Sequence, residues 1–139
     1  MFAPCEKVLI DQDNNASVIS VFQEIRVSVP AEKIPSGLAL PITWQVFTLW
    51  LREASDEGRR FEQVCELVLP DGKTVAVGTI LFQMEKNTHR NIMTVMGFPV
   101  APTVGDCSLR LMLRDAGTGH ESRIAEFPIA LRFATVQSK

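Results

Sequence analysis

Short runs of alternating apolar and polar residues, separated by clusters of glycine, proline, aspartate and asparagine, recur along the chain. The alternation is clearest at residues 107–114 and at residues 125–133. A period of two places the apolar side chains on one face of a β-strand. Turn signals every eight to twelve residues or so are typical of antiparallel sandwiches and barrels. We therefore predict one all-β domain over residues 1–139, an antiparallel β-sandwich of about seven to nine strands that is immunoglobulin-like or C2-like.

Turn chemistry divides this pattern into strands. Residues 11–15 are a polar cluster between two apolar runs, and residues 85–90 are a second polar loop. Residues 70–73 read Pro-Asp-Gly-Lys, with proline where φ is about −65° and glycine where φ is positive, so they predict a hairpin turn. The stretch from Pro30 to Pro41 holds three prolines, which lack the N–H that a central strand donates, so it is predicted to be a crossing loop.

The predicted strand at residues 42–51 is apolar on both of its faces. One face carries Trp44, Val46 and Trp50. The opposite face carries Phe47, Leu49 and Leu51. A strand in a two-layer sandwich buries only one face in the core, so the other face needs a cover. The cover is the crossing loop, a second copy of the chain, or another protein. Because aromatic side chains often anchor interfaces, we predict the first face as the candidate partner-binding surface.

The first predicted turn also matches half of a calcium-binding loop. Asp11, Asp13 and Asn15 occupy the positions that supply its first oxygen ligands. Ala16 then stands where the loop needs glycine, and Phe22 stands where it needs a bidentate glutamate. We interpret the segment as a solvated hairpin turn, and a weak metal site on the two aspartates and the asparagine is the alternative.

Cysteine and histidine are few and scattered. Cys5, Cys65 and Cys107 are odd in number and far apart, a pattern that favours buried, reduced thiols over disulfide bonds or a zinc site. His89 and His120 both fall in predicted polar loops, and no nucleophile elbow is present. We therefore expect no catalytic residues, no cofactor and no enzymatic activity.

Composition limits the partners. Fourteen basic and sixteen acidic residues give a net charge of −2, so the chain has no electrostatic footprint for nucleic acid. No apolar run approaches the eighteen or so residues of a membrane helix, and the first residues lack the pattern of a signal peptide. We expect a cytoplasmic protein without a nucleic-acid partner and without an integral membrane segment.

Three stretches follow one another in this order: SVISVFQEI at residues 17–25, LVLPDGK at residues 67–73, and NIMTVMGFP at residues 91–99 leading to GDCSLRL at residues 105–111. Taken together, they resemble a family of small bacterial β-sandwich proteins of unknown function. The resemblance extends over nearly the whole chain. The resemblance implies a β-sandwich fold and a bacterial setting, but no activity.

These observations favour a non-catalytic module for protein interaction or assembly, acting by self-association or on another protein. The alternative is a β-sandwich domain that binds a ligand or a metal, such as weakly held calcium or a small anion.

Overall fold

The computed structural model describes residues 1–28, 30, 33–35, 37–101, 103 and 105–133. These residues form nine β-strands and one short 3₁₀ turn at Ala54–Asp56. The strands are β1 (Phe2–Ile10), β2 (Ala16–Val21), β3 (Glu24–Val27), β4 (Ala39–Leu51), β5 (Arg60–Val68), β6 (Thr74–Gln83), β7 (Thr88–Pro99), β8 (Gly105–Asp115) and β9 (Glu121–Phe133). Within the described ranges, no helix has the length and apolar character needed to cross a membrane.

The strands form two sheets that pack against each other. The four-stranded sheet has the order β2-β1-β4-β7, and the five-stranded sheet has the order β3-β9-β8-β5-β6. Neighbouring strands run antiparallel, except that β3 runs parallel to β9. The prediction of an all-β protein built as a two-sheet sandwich is confirmed at this level. The predicted crossing loop does cross, since it leads from β3 in the five-stranded sheet to β4 in the four-stranded one.

The core between the sheets is built around Trp44 of β4. The indole is fully buried and packs against the ring of Phe98, with 5.4 Å between the ring centroids and an angle of 52° between the ring planes. Its Nε1–H donates a 2.9 Å hydrogen bond to the backbone oxygen of Gly97. Leu109 and Leu131 of the five-stranded sheet are also fully buried in this cluster. A large ring whose only polar atom has a partner can be buried without an unsatisfied donor, which explains its central place.

A polar network also lies inside the sandwich and joins the two sheets. The buried Gln63 of β5 accepts hydrogen bonds at its Oε1 from Trp50 Nε1 at 2.9 Å and from Asn91 Nδ2 at 3.0 Å. Asn91 Oδ1 in turn lies 2.8 Å from His89 Nε2. Buried polar groups are tolerated when each has a partner, and partners on opposite sheets fix how the sheets are aligned.

Two of the predicted loop boundaries are wrong. The polar run predicted as a loop at residues 85–90 ends early, because β7 begins at Thr88 and pairs His89 with Trp50. Strand β4 likewise begins at Ala39, before Pro41. The pairing of β4 with β7 shifts between Leu40 and Thr43, and a proline without an N–H is tolerated at such an irregularity.

The predicted turn at residues 70–73 is confirmed by its backbone. Gly72 has φ +87° and its N–H donates to the backbone oxygen of Leu69 at 2.9 Å. A Cβ added at this glycine would meet nothing within 4 Å. Any cost of a side chain here therefore comes from the backbone conformation alone.

We expect Gly72→Val to lower the free energy of unfolding by about 1 kcal/mol or more, because a β-branched residue is disfavoured at positive φ. Gly72→Asn is the matched control, since asparagine tolerates the left-handed region, and it should lose clearly less. Chemical denaturation of the three proteins measures this. Equal midpoints for the valine variant and the unsubstituted chain would contradict the turn assignment.

Candidate functional site

The three predicted partner-binding residues lie on the inner face of β4. Trp44 and Val46 have no exposed surface, and Trp50 is half-buried. All three pack in or against the core between the sheets. The two fully buried side chains could contact a partner only if the sheets separated. We therefore take the opposite face of this strand as the candidate surface.

The outer face of β4 is covered by the N-terminal hairpin, β1 and β2 with their connecting turn, which we call the arm. Phe2–Cys5 of the arm pair with β4 within the same sheet, and the part of the hairpin beyond Cys5 extends over that face as far as Arg90 of β7. Phe47 on this face is only 3% exposed and forms a buried cluster with Cys5 and Val8 of β1. Ala16 and Val18 of β2 pack against the same cluster. The strand is therefore apolar on both faces, as predicted, because both faces are covered within the chain.

The described residues of the crossing loop lie on the other side of β4. Ile34 is buried in the core between the sheets, in the same cluster as Trp44. The face around Phe47 is covered by the arm, an element that the sequence analysis did not consider as a cover.

Polar contacts hold the arm across the sheet. The backbone N–H of Val8 donates to Gln45 Oε1 of β4 at 2.6 Å. At the tip of the arm, the guanidinium of Arg90 donates to the backbone oxygen of Asn14 at 3.1 Å and to its Oδ1 at 2.9 Å. Arg90 belongs to β7, and β4 lies between β7 and β1 in the sheet. The arm therefore passes over the outer face of β4 and is fastened on its far side.

A cavity of about 690 Å³, open to solvent, lies between the arm and the sheet. Its apolar walls include Ala3, Ala16, Val18, Phe47 and Leu49. Polar side chains at one end are those of Asn14, Asn15, Thr88 and Arg90. The cavity also reaches Val21, Gln23 and Phe127. Its walls come from both sheets, but the greater part belongs to the arm and to the outer face of the four-stranded sheet.

In the turn of the arm, the side chain of Asp11 accepts hydrogen bonds from backbone groups of the same turn. Oδ1 of Asp11 accepts the backbone N–H groups of Asp13 and Asn15, both at 2.9 Å, while Asn14 has φ +63°. This is the local turn chemistry of aspartate and asparagine, as the solvated-turn interpretation expected. Within the described residues, no group of three or more His, Cys, Asp or Glu is placed to hold a metal ion. The alternative calcium site on Asp11, Asp13 and Asn15 gains no support from this geometry.

The three cysteines are free and buried, which confirms that expectation. Burial raises the pKa of the Cys65 thiol to about 11, although a hydrogen bond from Gln63 acts in the opposite direction. Burial, together with the charges of Asp106 and Asp71, raises the pKa of Cys107 to about 12. Burial also raises the pKa of Cys5. Since the thiolate is the nucleophile, these thiols are unreactive near neutral pH.

The two histidines occupy different settings. His89 lies on β7 and not in a loop, with its ring stacked 4.8 Å from that of Phe82, between centroids. His120 lies in the exposed turn before β9, and its Nε2 is 3.4 Å from the hydroxyl of Ser122. The first ring is tied into the interior polar network, and the second makes a long contact on the surface.

No family model matches the chain, and a search of curated proteins gives no significant match. The function proposed below therefore rests on the cavity and its lining residues.

Sequence reasoning places Arg90 with Lys86 and His89 in a polar loop that could bind a small anion, whereas a strand in fact begins at Thr88. It misses the apolar side of the arm. The arm carried a signal, because residues 8–10 and residues 18–19 are consecutive apolar pairs or triplets. Such runs place apolar side chains on both faces of a hairpin, and one of these faces was available to cover β4.

We expect Val8→Asp to detach the arm, because Val8 is buried in the Phe47 cluster outside the cavity lining and the substitution places a carboxylate without a counter-charge there. Cys5 should then react with iodoacetamide about tenfold faster or more at mildly alkaline pH, with Cys65 and Cys107 still protected. Peptide mass spectrometry identifies the labelled cysteine.

Leu9→Asp is the matched control. Leu9 is adjacent to Val8 but 45% exposed, so its carboxylate would remain in water and leave the labelling of Cys5 slow. Equal labelling rates in the two variants, or labelling of all three thiols together, would contradict the described cover.

Proposed function

We propose that the protein is a non-catalytic binding module that takes a small apolar ligand in the cavity beneath the arm. The observation that carries this proposal is the cavity itself, about 690 Å³ with mainly apolar walls and a few polar side chains at one end. Ligand sites in proteins have volumes of about 300–1,000 Å³ and this same composition.

The apolar walls favour an apolar ligand over water. Leu49 is half-buried and its side chain forms part of the wall, next to the buried Phe47 cluster. A ligand that covered such a wall would remove apolar surface from water, which contributes about 25 cal/mol for each Å². A highly polar or highly charged ligand would gain nothing from these walls. Of the ligand classes that the sequence left open, this geometry supports neither calcium nor a purely inorganic anion.

The chemistry of the nucleophilic groups supports a non-catalytic role. The thiols of Cys65 and Cys107 are held in the protonated form by burial, since their pKa values are raised to about 11 and about 12. Neither thiol lines the cavity. His89 is engaged with Asn91 and Phe82 inside the sandwich. Binding alone, with no cofactor, is the function that these residues favour.

The finer fold that we propose is immunoglobulin-like rather than C2-like, and the strand order supports it. In the immunoglobulin arrangement strands B and E pair in one sheet, while C, F and G, with C′ in the variable type, form the other. Strands β4 and β7 pair here in the manner of B and E. Strands β6, β5, β8 and β9 follow the order C′, C, F and G.

We also propose a reducing, cytoplasmic setting. Three free, buried cysteines support it, because thiols persist in reducing compartments. The net charge of −2 favours no nucleic-acid partner. The resemblance to small bacterial β-sandwich proteins supports a bacterial origin.

Self-association is a second candidate, favoured by the solvent side of the arm. Leu9, Ile10, Ile19 and Val21 of the two arm strands are each 40–45% exposed. A second copy of the chain that packed on these side chains would cover them. Sedimentation velocity over a range of protein concentrations tests this candidate: the average mass should rise with concentration, and a constant monomer mass would contradict it.

The cavity proposal is tested with a neutral fluorescent probe, N-phenyl-1-naphthylamine. We expect saturable binding with one site per chain, because the probe is apolar and has a size suited to the cavity. Leu49→Trp, which fills the cavity from its wall, should weaken binding about tenfold or more, a change measured by fluorescence titration.

Ile124→Trp is the matched control, because Ile124 is 46% exposed and lies outside the cavity lining. This variant should bind the probe as the unsubstituted chain does. An absence of saturable binding, or equal loss in both tryptophan variants, would count against the cavity as a binding site.

A further inference from the structure

We infer that the ligand of the cavity carries one carboxylate, which the guanidinium of Arg90 binds, while the apolar part of the ligand lies along the walls. This inference rests on the proposed binding function and adds the chemical class of the ligand, an aliphatic monocarboxylic acid. Its basis is the unusual position of one cation at an apolar cavity.

Among the described residues that line the cavity, Arg90 has the one charged side chain, and the N-terminal ammonium of Met1, which also lines it, donates to the backbone oxygen of Leu49 at 3.2 Å. It lies directly opposite Leu49 in the pairing of β7 with β4, so the cation and the apolar wall are neighbours. A guanidinium beside apolar walls has fewer waters to solvate it, and a nearby anion interacts with it more strongly than in bulk water. A carboxylate at this end of the cavity would therefore be stabilised.

The charge of Arg90 is not neutralised by the described part of the protein. Its two hydrogen bonds go to neutral oxygens of Asn14, and no carboxylate of a described residue lies within ion-pair distance. Arg110 and Arg114 differ in this respect, because each pairs with glutamates across the five-stranded sheet. The aspartate of the arm turn, Asp11, is engaged with backbone N–H groups of its own turn.

The guanidinium can bind a carboxylate without releasing the arm. It has five N–H donors in a planar fork, and Asn14 takes up only part of them. The remaining donors match the two oxygens of a carboxylate, the pairing for which arginine is best suited. A bound monocarboxylate would thus rest on the same side chain that fastens the arm tip to β7.

The shape of the site selects against other anions. The apolar walls extend from the cation toward Phe47 and Ala3. A small inorganic anion would leave these apolar walls exposed to water. A single carboxylate on an aliphatic chain can pair with the guanidinium of Arg90 and cover the apolar walls.

Decanoate and decanol are the matched probes, because they share a chain length and differ in charge. We expect decanoate to displace N-phenyl-1-naphthylamine from the unsubstituted chain more effectively than decanol. In Arg90→Met the apparent affinity for decanoate should fall about tenfold or more, and the affinity for decanol should stay the same.

A control variant separates the charge of Arg90 from a general loss of arginine contacts. Arg52→Met removes an arginine that also bonds to neutral oxygens, those of Glu85 and Asn87, but lies outside the cavity. It should retain the preference for decanoate over decanol.

Equal affinities for the two probes in the unsubstituted chain would overturn the inference, as would an unchanged affinity for decanoate in Arg90→Met or an equal loss of it in Arg52→Met. The proposed binding function would survive these results as long as decanol competes with the fluorescent probe. If neither probe competes and the fluorescent probe itself does not bind, the binding function fails with the inference.

Discussion

The structure depends on the need to cover both faces of β4. This strand places Trp44 and Val46 on one side and Phe47 on the other, and all three are almost entirely buried. The five-stranded sheet covers the first side, as in any two-layer sandwich. The second side would be a large apolar surface in water, so an additional layer is required. The arm supplies that layer, and its position follows from this requirement.

The cover is incomplete, and this explains why a cavity lies beneath it. The arm presents small side chains, Ala3, Ala16 and Val18, toward the wall that Leu49 provides. Beyond the pairing of Phe2–Cys5 with β4, the arm is fastened to the sheet near Val8 and Asn14, and its small residues do not fill the space at the density of a protein core. Arg90 closes one end of that space with a cation. The same contact thus fixes the arm and gives the cavity its polar end.

The interior between the two sheets differs from the cavity, because its polar side chains form a hydrogen-bonded network. Between the sheets, Gln63 joins Trp50 and Asn91 through hydrogen bonds, so the interior polar atoms of this network have partners. The outer surface of the five-stranded sheet is polar, with Arg110 and Arg114 paired to glutamates. Exposed pairs of this kind contribute little stability, but they keep that face compatible with water. The cavity side is therefore the face on which apolar binding is most readily accommodated.

Much of the fold could be predicted from local signals. Turn residues located the hairpin at Gly72, and alternation located β8 and β9, because these signals are encoded within a few neighbouring residues. The two apolar faces of β4 were also visible in the sequence. Which face enters the core was not, since a period of two is satisfied equally by either choice.

The candidate site was beyond local reasoning for two physical reasons. The cover of Phe47 comes from Val8 and Val18, which are distant in the sequence and meet it only through the order of the strands. Arg90 lies in a polar run, where polarity suggested a loop, yet β7 extends through it because it pairs with β4. His89 and Asn91 of this segment point inward as parts of the interior network. The polarity of the segment alone therefore led to an incorrect loop assignment.

The central claim is that the arm and the outer face of the four-stranded sheet enclose a site for an apolar molecule. The most direct measurement is a set of intermolecular nuclear Overhauser effects between decanol and the methyl groups of the isotope-labelled protein. The account predicts contacts to Ala16, Val18 and Leu49, with none to Leu109 and Leu131 in the core between the sheets. Contacts only to exposed side chains elsewhere, such as Leu81 and Ile124, or no contacts at all, would contradict it.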